Sequence, residues 1–473
     1  MPFSKIGARA ISAPGSVRAA AALSLLLGSA CAASSSPWDA PDPARGAPLT
    51  VAALAGEERP IQGAPLLGDT EALIRWLQDR NPEIAAARAR VAQARADWDQ
   101  SQLYPNPSAQ LGWGGINLGP RNPSDLAFSS SQNYGIGVQQ TIELGKRGPR
   151  IESARLLADS ERQNYFARLG EKVADGRGAL GRIVYLQAKS AILEGSLAQA
   201  RQVLELEKSR LDHGDISGND FDRLALDTSM LEFELPQLKA ELEEAQENAR
   251  AILGAEVDSK GAEIDLLARA AKLPDSRDEW DRALLDRPDL RAIERAAESA
   301  RQDALLAERR AIPDPTFGIA YLHDNLTEAG NQENTLALTL GITLPLFDHG
   351  QHASSKAESH AFELSQNLSS AYREAAADRA SLMKRLETLD RLLSALGTTA
   401  IPKSQSILDT TLAAYNRGQL SLTDLLLARR THTDLVLRRM DLQFETFRAR
   451  NELRRTLGLD AELAFRLNGG IPR

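Results

Sequence analysis

The sequence predicts an α+β membrane protein made by duplication, with very long helical hairpins and short strands that several chains must share. Two observations carry this. One turn motif occurs twice, 204 residues apart, because Gly214-Asp215-Ile216-Ser217-Gly218-Asn219-Asp220 and Gly418-Gln419-Leu420-Ser421-Leu422-Thr423-Asp424 both read G-x-x-S-x-x-D between long, almost proline-free stretches. Four short segments also alternate apolar with small or polar residues, with no spare helix nearby in sequence to cover them.

At the N-terminus, residues 1–30 read as an export signal. Lys5, Arg9 and Arg18 supply positive charge, Ala19 to Leu27 an apolar core, and Gly28-Ser29-Ala30 small residues. Cys31, the only cysteine, follows directly and matches a lipid-attachment cysteine; ordinary cleavage near Ala30 or Ala32 is the alternative. With one cysteine there is no disulfide framework. Residues 31–69, rich in Ser, Pro, Ala and Gly up to about 65, read as a lipid-anchored or flexible tether.

The first repeat covers 70–254. Pro82 suits the first turn of a helix over Pro82–Leu103. Pro105-Asn106-Pro107 ends that helix and leads into a strand pair near 108–144. In it Tyr134, Ile136, Val138, Ile142 and Leu144 alternate with Gly135, Gly137, Gln139, Thr141 and Glu143. From Arg150 to about Leu211 no proline occurs, which allows roughly 90 Å of helix at 1.5 Å per residue. At the turn near 212–220, Gly214 can take the left-handed conformation that ends a helix. Ser217 can N-cap the return helix, about Asn219–Leu253, with Asp220 closing a capping box.

The second repeat, 287–458, follows an intervening segment, 255–286. Pro288 answers to Pro82 and Pro313-Asp314-Pro315 to the earlier Pro-x-Pro. A strand pair falls near 315–346, where Leu336, Leu338, Leu340, Ile342 and Leu344 share one face. The long helix, about Gln351–Asn416, contains Pro402, which predicts a kink or restart. The turn near 415–424 repeats the signals with Gly418, Ser421 and Asp424 before a return helix, about Thr423–Leu457. Residues 459–473 form a tail. Apolar clusters such as Ile183–Leu186, Val203-Leu204 with Leu206, and Leu425–Leu427 suit helices packed on both sides.

Four strands are too few to close, since small barrels need about eight. Open edges in lipid would leave backbone groups unpaired. The strands therefore imply an oligomer, and no segment has the roughly 18 unbroken apolar residues of a membrane helix.

The formal charge of −8 argues against nucleic acid. There is no H-E-x-x-H, P-loop or nucleophile elbow, so no enzyme, cofactor or resident metal is expected. His349, His352 and His360 cluster after the second strand pair without a tight ligand spacing, and His213 suits a helix C-terminus. A periplasmic coiled-coil adaptor or scaffold is the rival of another class, but it calls for one hairpin between β-rich halves rather than two hairpins, each preceded by strands.

The duplicated order, the strand end Leu344-Pro345-Leu346-Phe347-Asp348-His349-Gly350 and the turn Tyr415-Asn416-Arg417-Gly418 resemble the TolC-type outer-membrane efflux channels over about residues 70–460. Cys31 and the Pro402-interrupted helix look most similar to the cation-efflux branch. The resemblance implies a homotrimer with a shared 12-stranded barrel in outer-membrane lipid, above a 12-helix periplasmic tunnel. It implies a mixed equatorial belt, to which 255–286 and the tail contribute. It further implies a periplasmic adaptor, an inner-membrane RND-type transporter, and heavy-metal cations as cargo, with multidrug or protein export as the alternative. Carried over by motif, Gly214, Ser217, Asp220, Tyr415, Gly418, Ser421 and Asp424 mark the adaptor-docking periplasmic tips, with Asp424 the candidate pore constriction. The best-studied member has a second acidic residue where this chain has Leu427, and an arginine where it has Leu420, so the latch must differ.

Overall fold

The computed structural model describes residues 61–468, apart from 117, 121–123, 126, 259–260, 262, 275 and 327–331. The signal segment and Cys31 lie outside the described residues. The order is β1 (Ile61–Gln62), α1 (Gly63–Gly68), α2 (Thr70–Arg80), α3 (Pro82–Ser101), β2 (Ser108–Gly114), β3 (Asn133–Thr141), α4 (Arg147–Asp212) and α5 (Gly218–Leu253). Then come β4 (Val257–Asp258), α6 (Leu266–Ala270), α7 (Arg277–Leu285), α8 (Pro288–Glu308), β5 (Pro315–Asp324) and β6 (Asn334–Ile342). The chain ends with α9 (Gln351–Ala395), a π-helical turn (Leu396–Ala400), α10 (Ile401–Asn416), α11 (Leu422–Thr456) and α12 (Leu459–Leu467).

α4 is the axis of the molecule. Its 66 residues span about 100 Å at 1.5 Å per residue. Ile183, Val184 and Leu186 are all at most 1% exposed, so here the helix is enclosed on every side. Around it pack Leu73, Ile74 and Leu77 of α2, Leu238 and Leu253 of α5, and Met440, Phe444 and Phe447 of α11. The α11 contact is close enough to require a glycine, because a Cβ at Gly181 would lie 2.2 Å from the Phe447 ring. The other predicted clusters are only partly enclosed in the single chain: Leu425 is buried, but Leu206 is 61% and Leu427 65% exposed.

The expected tether ends earlier than 69. Ile61 and Gln62 pair in parallel with Val257 and Asp258, and Leu67 is buried. Burial of Leu67 and the β1–β4 pairing outweigh the small-residue composition that suggested a tether. Pro236 lies inside α5 on an exposed face without ending the helix. Its missing N–H frees one carbonyl that water can satisfy there.

The four main strands form one antiparallel sheet in the order β2-β3-β5-β6. The repeats join through β3 and β5, with Ile136 opposite Tyr321 and Val138 opposite Ile319. Register places Leu111, Trp113, Ile136, Ile319, Leu338 and Leu340 on one face, and every one of them is exposed. Across the sheet lie Gln110, Gly137, Gln139, Thr316, Gly318 and Thr339. The outer edges of β2 and β6 have no partner strand among the described residues. No described helix is long and apolar enough to cross a membrane.

The middle of α4 carries a buried ion network. Both Arg177 guanidinium nitrogens Nη1 and Nη2 donate to the Asp460 carboxylate, at 2.7 and 2.8 Å, and Arg454 of α11 donates to it at 2.6 Å. Arg177 also reaches Asn451 of α11 and Thr70 of α2. One carboxylate on α12 thus ties both repeats to the N-terminal helices. Burial alone would raise the Asp460 carboxyl, but the two guanidiniums outweigh it and hold it below the usual carboxylate range.

Removing one partner of such a buried pair should be severe. Asp460→Asn should cost about 3–5 kcal/mol, whereas Arg177→Met and Arg454→Met together with Asp460→Leu, which leave no charge unpaired, should recover much of the loss. Unfolding of the purified protein would show this. Because the folded carboxyl titrates lower than the unfolded one, its contribution should be complete above about pH 4 and vanish as pH falls through the depressed folded value.

Candidate functional site

Both hairpins end in the same backbone motif. At the first tip the Gly214 N–H bonds the Leu211 carbonyl at 2.9 Å and the Asp215 N–H bonds Arg210 at 2.8 Å. At the second, Gly418 bonds Tyr415 at 2.8 Å and Gln419 bonds Ala414 at 3.0 Å. This pair of bonds requires a left-handed residue, and φ is +77° at Gly214 and +71° at Gly418.

The serines then cap the return helices. Ser217 Oγ accepts the Asp220 N–H at 3.1 Å, and Ser421 Oγ accepts the Asp424 N–H at 3.2 Å. Only the second tip has the full reciprocal box, because the Ser421 N–H also donates to Asp424 Oδ2 at 3.1 Å. At both tips the Asp Oδ2 accepts the Ser hydroxyl, at 2.7 Å for Asp220 and 2.6 Å for Asp424, but at the first it takes no bond from the Ser N–H, so the predicted box there is half made. The bonds from the Ser421 side chain and backbone hold the fully exposed Asp424 carboxyl below its ordinary range.

The tips are joined by residues that no local motif announces. Tyr415 Oη, at the end of α10, donates to Glu207 Oε1 of α4 at 2.6 Å. It also accepts from Arg210 Nη1 at 2.7 Å, and Arg210 pairs with Glu207 at 3.1 Å. Glu207 is completely buried. Burial first, and then the bond to Glu207, push the Tyr415 phenol up to about 12, so it remains a donor throughout the physiological range. Arg223 Nη1 adds a longer bond to Thr423 Oγ1, at 3.4 Å. Sequence reasoning placed Tyr415 at the tip but missed Glu207 and Arg210, which lie 208 and 205 residues away along the chain. An acid and a base three apart on a helix are too common to signal a site.

The remaining predicted residues do not converge on this cluster. His349, His352 and His360 are all exposed, and His360 faces Glu363 at 3.5 Å. Among the described residues no three His, Cys, Asp or Glu side chains form a metal cage. His213 Nδ1 lies 2.6 Å from the Ser209 carbonyl at the end of α4. Leu420 and Leu427 are both exposed beside the second tip.

Among the described residues, an exposed apolar sheet with two open edges, long helices and paired tips are the features of an assembly unit. Residues 73–255 and 280–459 match the family model described as outer membrane efflux protein. The chain belongs to that family. It is similar in fold to CusC, with a TM-score of 0.69 and 20% identity, covering 82% of this chain and 91% of that one. The outer-membrane channel OprN matches with a TM-score of 0.65 and 18% identity, over 90% and 98% of the two chains. The MtrE outer membrane channel of Neisseria gonorrhoeae, in its open state, matches with a TM-score of 0.66 and 19% identity, over 82% and 88%. No curated protein sequence matches the chain.

The Tyr415 bridge makes a direct prediction. Tyr415→Phe keeps the ring and removes the hydroxyl, so it should raise amide hydrogen exchange over residues 401–416 severalfold. Exchange around Ile183 should be unchanged. Equal protection in both proteins would show that the bridge does not hold the tip.

Proposed function

We propose that this chain is the outer-membrane duct of a tripartite efflux pump. It works as a homotrimer whose three sheets close one 12-stranded barrel and whose helices continue it as a periplasmic tunnel. The observation that carries this is the open four-stranded sheet with an exposed apolar face. Lipid can cover that face, and two further copies can satisfy its edges. The same copies would cover Leu206 and Leu427. Such a channel does no chemistry; an inner-membrane RND-type transporter drives export through a periplasmic adaptor that docks at the tips around Gly214, Ser217, Asp220, Gly418, Ser421 and Asp424. The tip is shut by the Glu207–Arg210–Tyr415 bridge, and opening requires its release. Cys31, acylated after export, anchors the N-terminus in the same membrane.

For cargo we favour heavy-metal cations. The support is the fold likeness to CusC together with the exposed Asp424 carboxylate, which a three-fold axis would gather into an acidic ring favouring cations. Multidrug or protein export uses the same fold, because cargo choice belongs to the docked partners.

The sheet reading is tested by placing charge on each face. Leu338→Arg on the apolar face should cost about 2–4 kcal/mol of insertion near mid-membrane and deplete the outer-membrane fraction, while Thr339→Arg on the other face should insert normally. Cargo is tested in a deletion strain loaded with zinc, cobalt, cadmium, copper or silver, and separately with a fluorescent efflux dye. Excess metal with normal dye supports metal export, and Asp424→Asn should then restore it only in part. Excess dye with normal metal makes the chain a multidrug outlet.

A further inference from the structure

The duplication puts one complete joint inside the chain, where the segment leaving β3 grips the segment entering β5. The Ile142 N–H donates to the Pro315 carbonyl at 2.9 Å. The Leu144 N–H donates to Asp314 Oδ1 at 2.9 Å, and Lys146 Nζ donates to Asp314 Oδ2 at 2.6 Å. On the last rung of the two strands, the Thr141 and Thr316 hydroxyls share a hydrogen bond of 2.9 Å. The grip shields its ion pair, since the Lys146 and Asp314 side chains are only 16% and 21% exposed.

Each outer edge of the sheet carries the counterpart of one half of that joint. Thr343, Leu344 and Asp348 follow β6 as Thr141, Ile142 and Lys146 follow β3, each 202 residues further on. Pro105-Asn106-Pro107 leads into β2 as Pro313-Asp314-Pro315 leads into β5, 208 residues earlier. At the edges Asn106, Pro107, Thr343, Leu344 and Asp348 are all exposed. Inside the chain Val138 lies opposite Ile319 and Ile136 opposite Tyr321. Carried to the edges, that register sets Leu340 against Leu111 and Leu338 against Trp113, so the apolar face runs on unbroken. A slip of one residue would set Leu340 against Gln110 or Gly112 and break it. The same register brings Thr343 to Ser108, a second hydroxyl pair, and the Leu344 N–H to the Pro107 carbonyl. Two contacts do not carry over. The Leu346 N–H bonds the Leu344 carbonyl of its own chain at 2.9 Å, and Asp348 with Asn106 replaces Lys146 with Asp314. Asp348 Oδ1 accepts the Gly350 N–H at 3.0 Å, which leaves Oδ2 to accept from an amide.

We infer that Thr343–Asp348 is a docking joint for Pro105-Asn106-Pro107 of a second copy, in which the Asn106 amide donates to the Asp348 carboxylate and Leu340 lies opposite Leu111. The occupant is another copy of this chain because the two edges are counterparts of two halves that already fit each other inside it. The exchange of charges makes the two joints different in kind. The inner one is an ion pair, whereas the outer one sets a neutral donor against a lone carboxylate. That contact also fixes the register, since a slip of two residues would keep the faces but part Asp348 from Asn106. This rests on the reading that several copies share one barrel.

The test uses the full-length protein purified in detergent. Asn106→Asp sets two carboxylates against each other and should lower the trimer-to-monomer ratio severalfold at low salt, with partial recovery at high salt. Asn106→Asp with Asp348→Lys rebuilds the Lys146–Asp314 pair between copies and should restore the trimer. Within one chain the two residues stand at opposite edges of the four-stranded sheet, about 14 Å apart at the usual strand spacing, so a rescue has to pass between copies. The register is read separately in a Cys31→Ser background. Leu340→Cys with Leu111→Cys should form disulfide-linked trimers on oxidation, because directly opposed residues come close enough to bond. Leu340→Cys with Trp113→Cys, a slip of two, should link far less, and this comparison decides the matter if Asn106→Asp does not fold. A trimer that ignores the charge exchange, or that links through the slipped pair, would overturn the joint and leave the shared barrel standing. A monomeric Cys31→Ser protein would overturn the shared barrel, and the joint with it.

Discussion

Backbone pairing is the constraint on which this architecture rests. A strand in hydrocarbon must give every N–H and C=O a partner, and the described residues form one four-stranded sheet with two bare edges. The duplication sets how far one chain can go toward closure. Each repeat yields a strand pair, and β3 meeting β5 fuses the pairs into one sheet whose apolar side chains all face the same way. No described helix covers that face.

Away from the sheet, the fold is governed by how two unequal hairpins are held. α4 is gripped along its middle by an apolar layer, and the Arg177–Asp460–Arg454 network fixes the terminal helices to both repeats there. Toward the tips the apolar packing thins to a few residues such as Leu224, Leu422 and Leu425, and polar contacts join it. Glu207, Arg210 and Tyr415 form a small and directional connection between hairpins. Losing one hydroxyl weakens such a directional connection, whereas a packed apolar seam yields only to wholesale separation.

Much of this was legible in the chain because the deciding signals are local. The G-x-x-S-x-x-D turns name their own chemistry: a glycine that tolerates positive φ and a serine that caps three residues on. Strict alternation through Tyr134–Leu144 and Leu336–Leu344 marked strands and their apolar face, and Pro402 marked a break. Even so, the local reading overreached at the first turn. Asp220 accepts the Ser217 hydroxyl but not its N–H, whereas Asp424 accepts both from Ser421, so only the second turn closed its box. Small residues up to 69 suggested a free tether, yet Ile61 and Leu67 are docked by partners about 200 residues further on.

The sequence by itself determined the duplication, the element types and the tip turns, because these follow from periodicity and backbone freedom. Only the tertiary structure decided which distant side chains meet: Asp460 with Arg177, and Glu207 with Tyr415. It alone showed that the interruption near Pro402 is a π-turn present in one repeat and absent from the other. Contacts between residues hundreds of positions apart depend on the rotation and register of whole helices, which the packing of many side chains sets together and no short motif encodes.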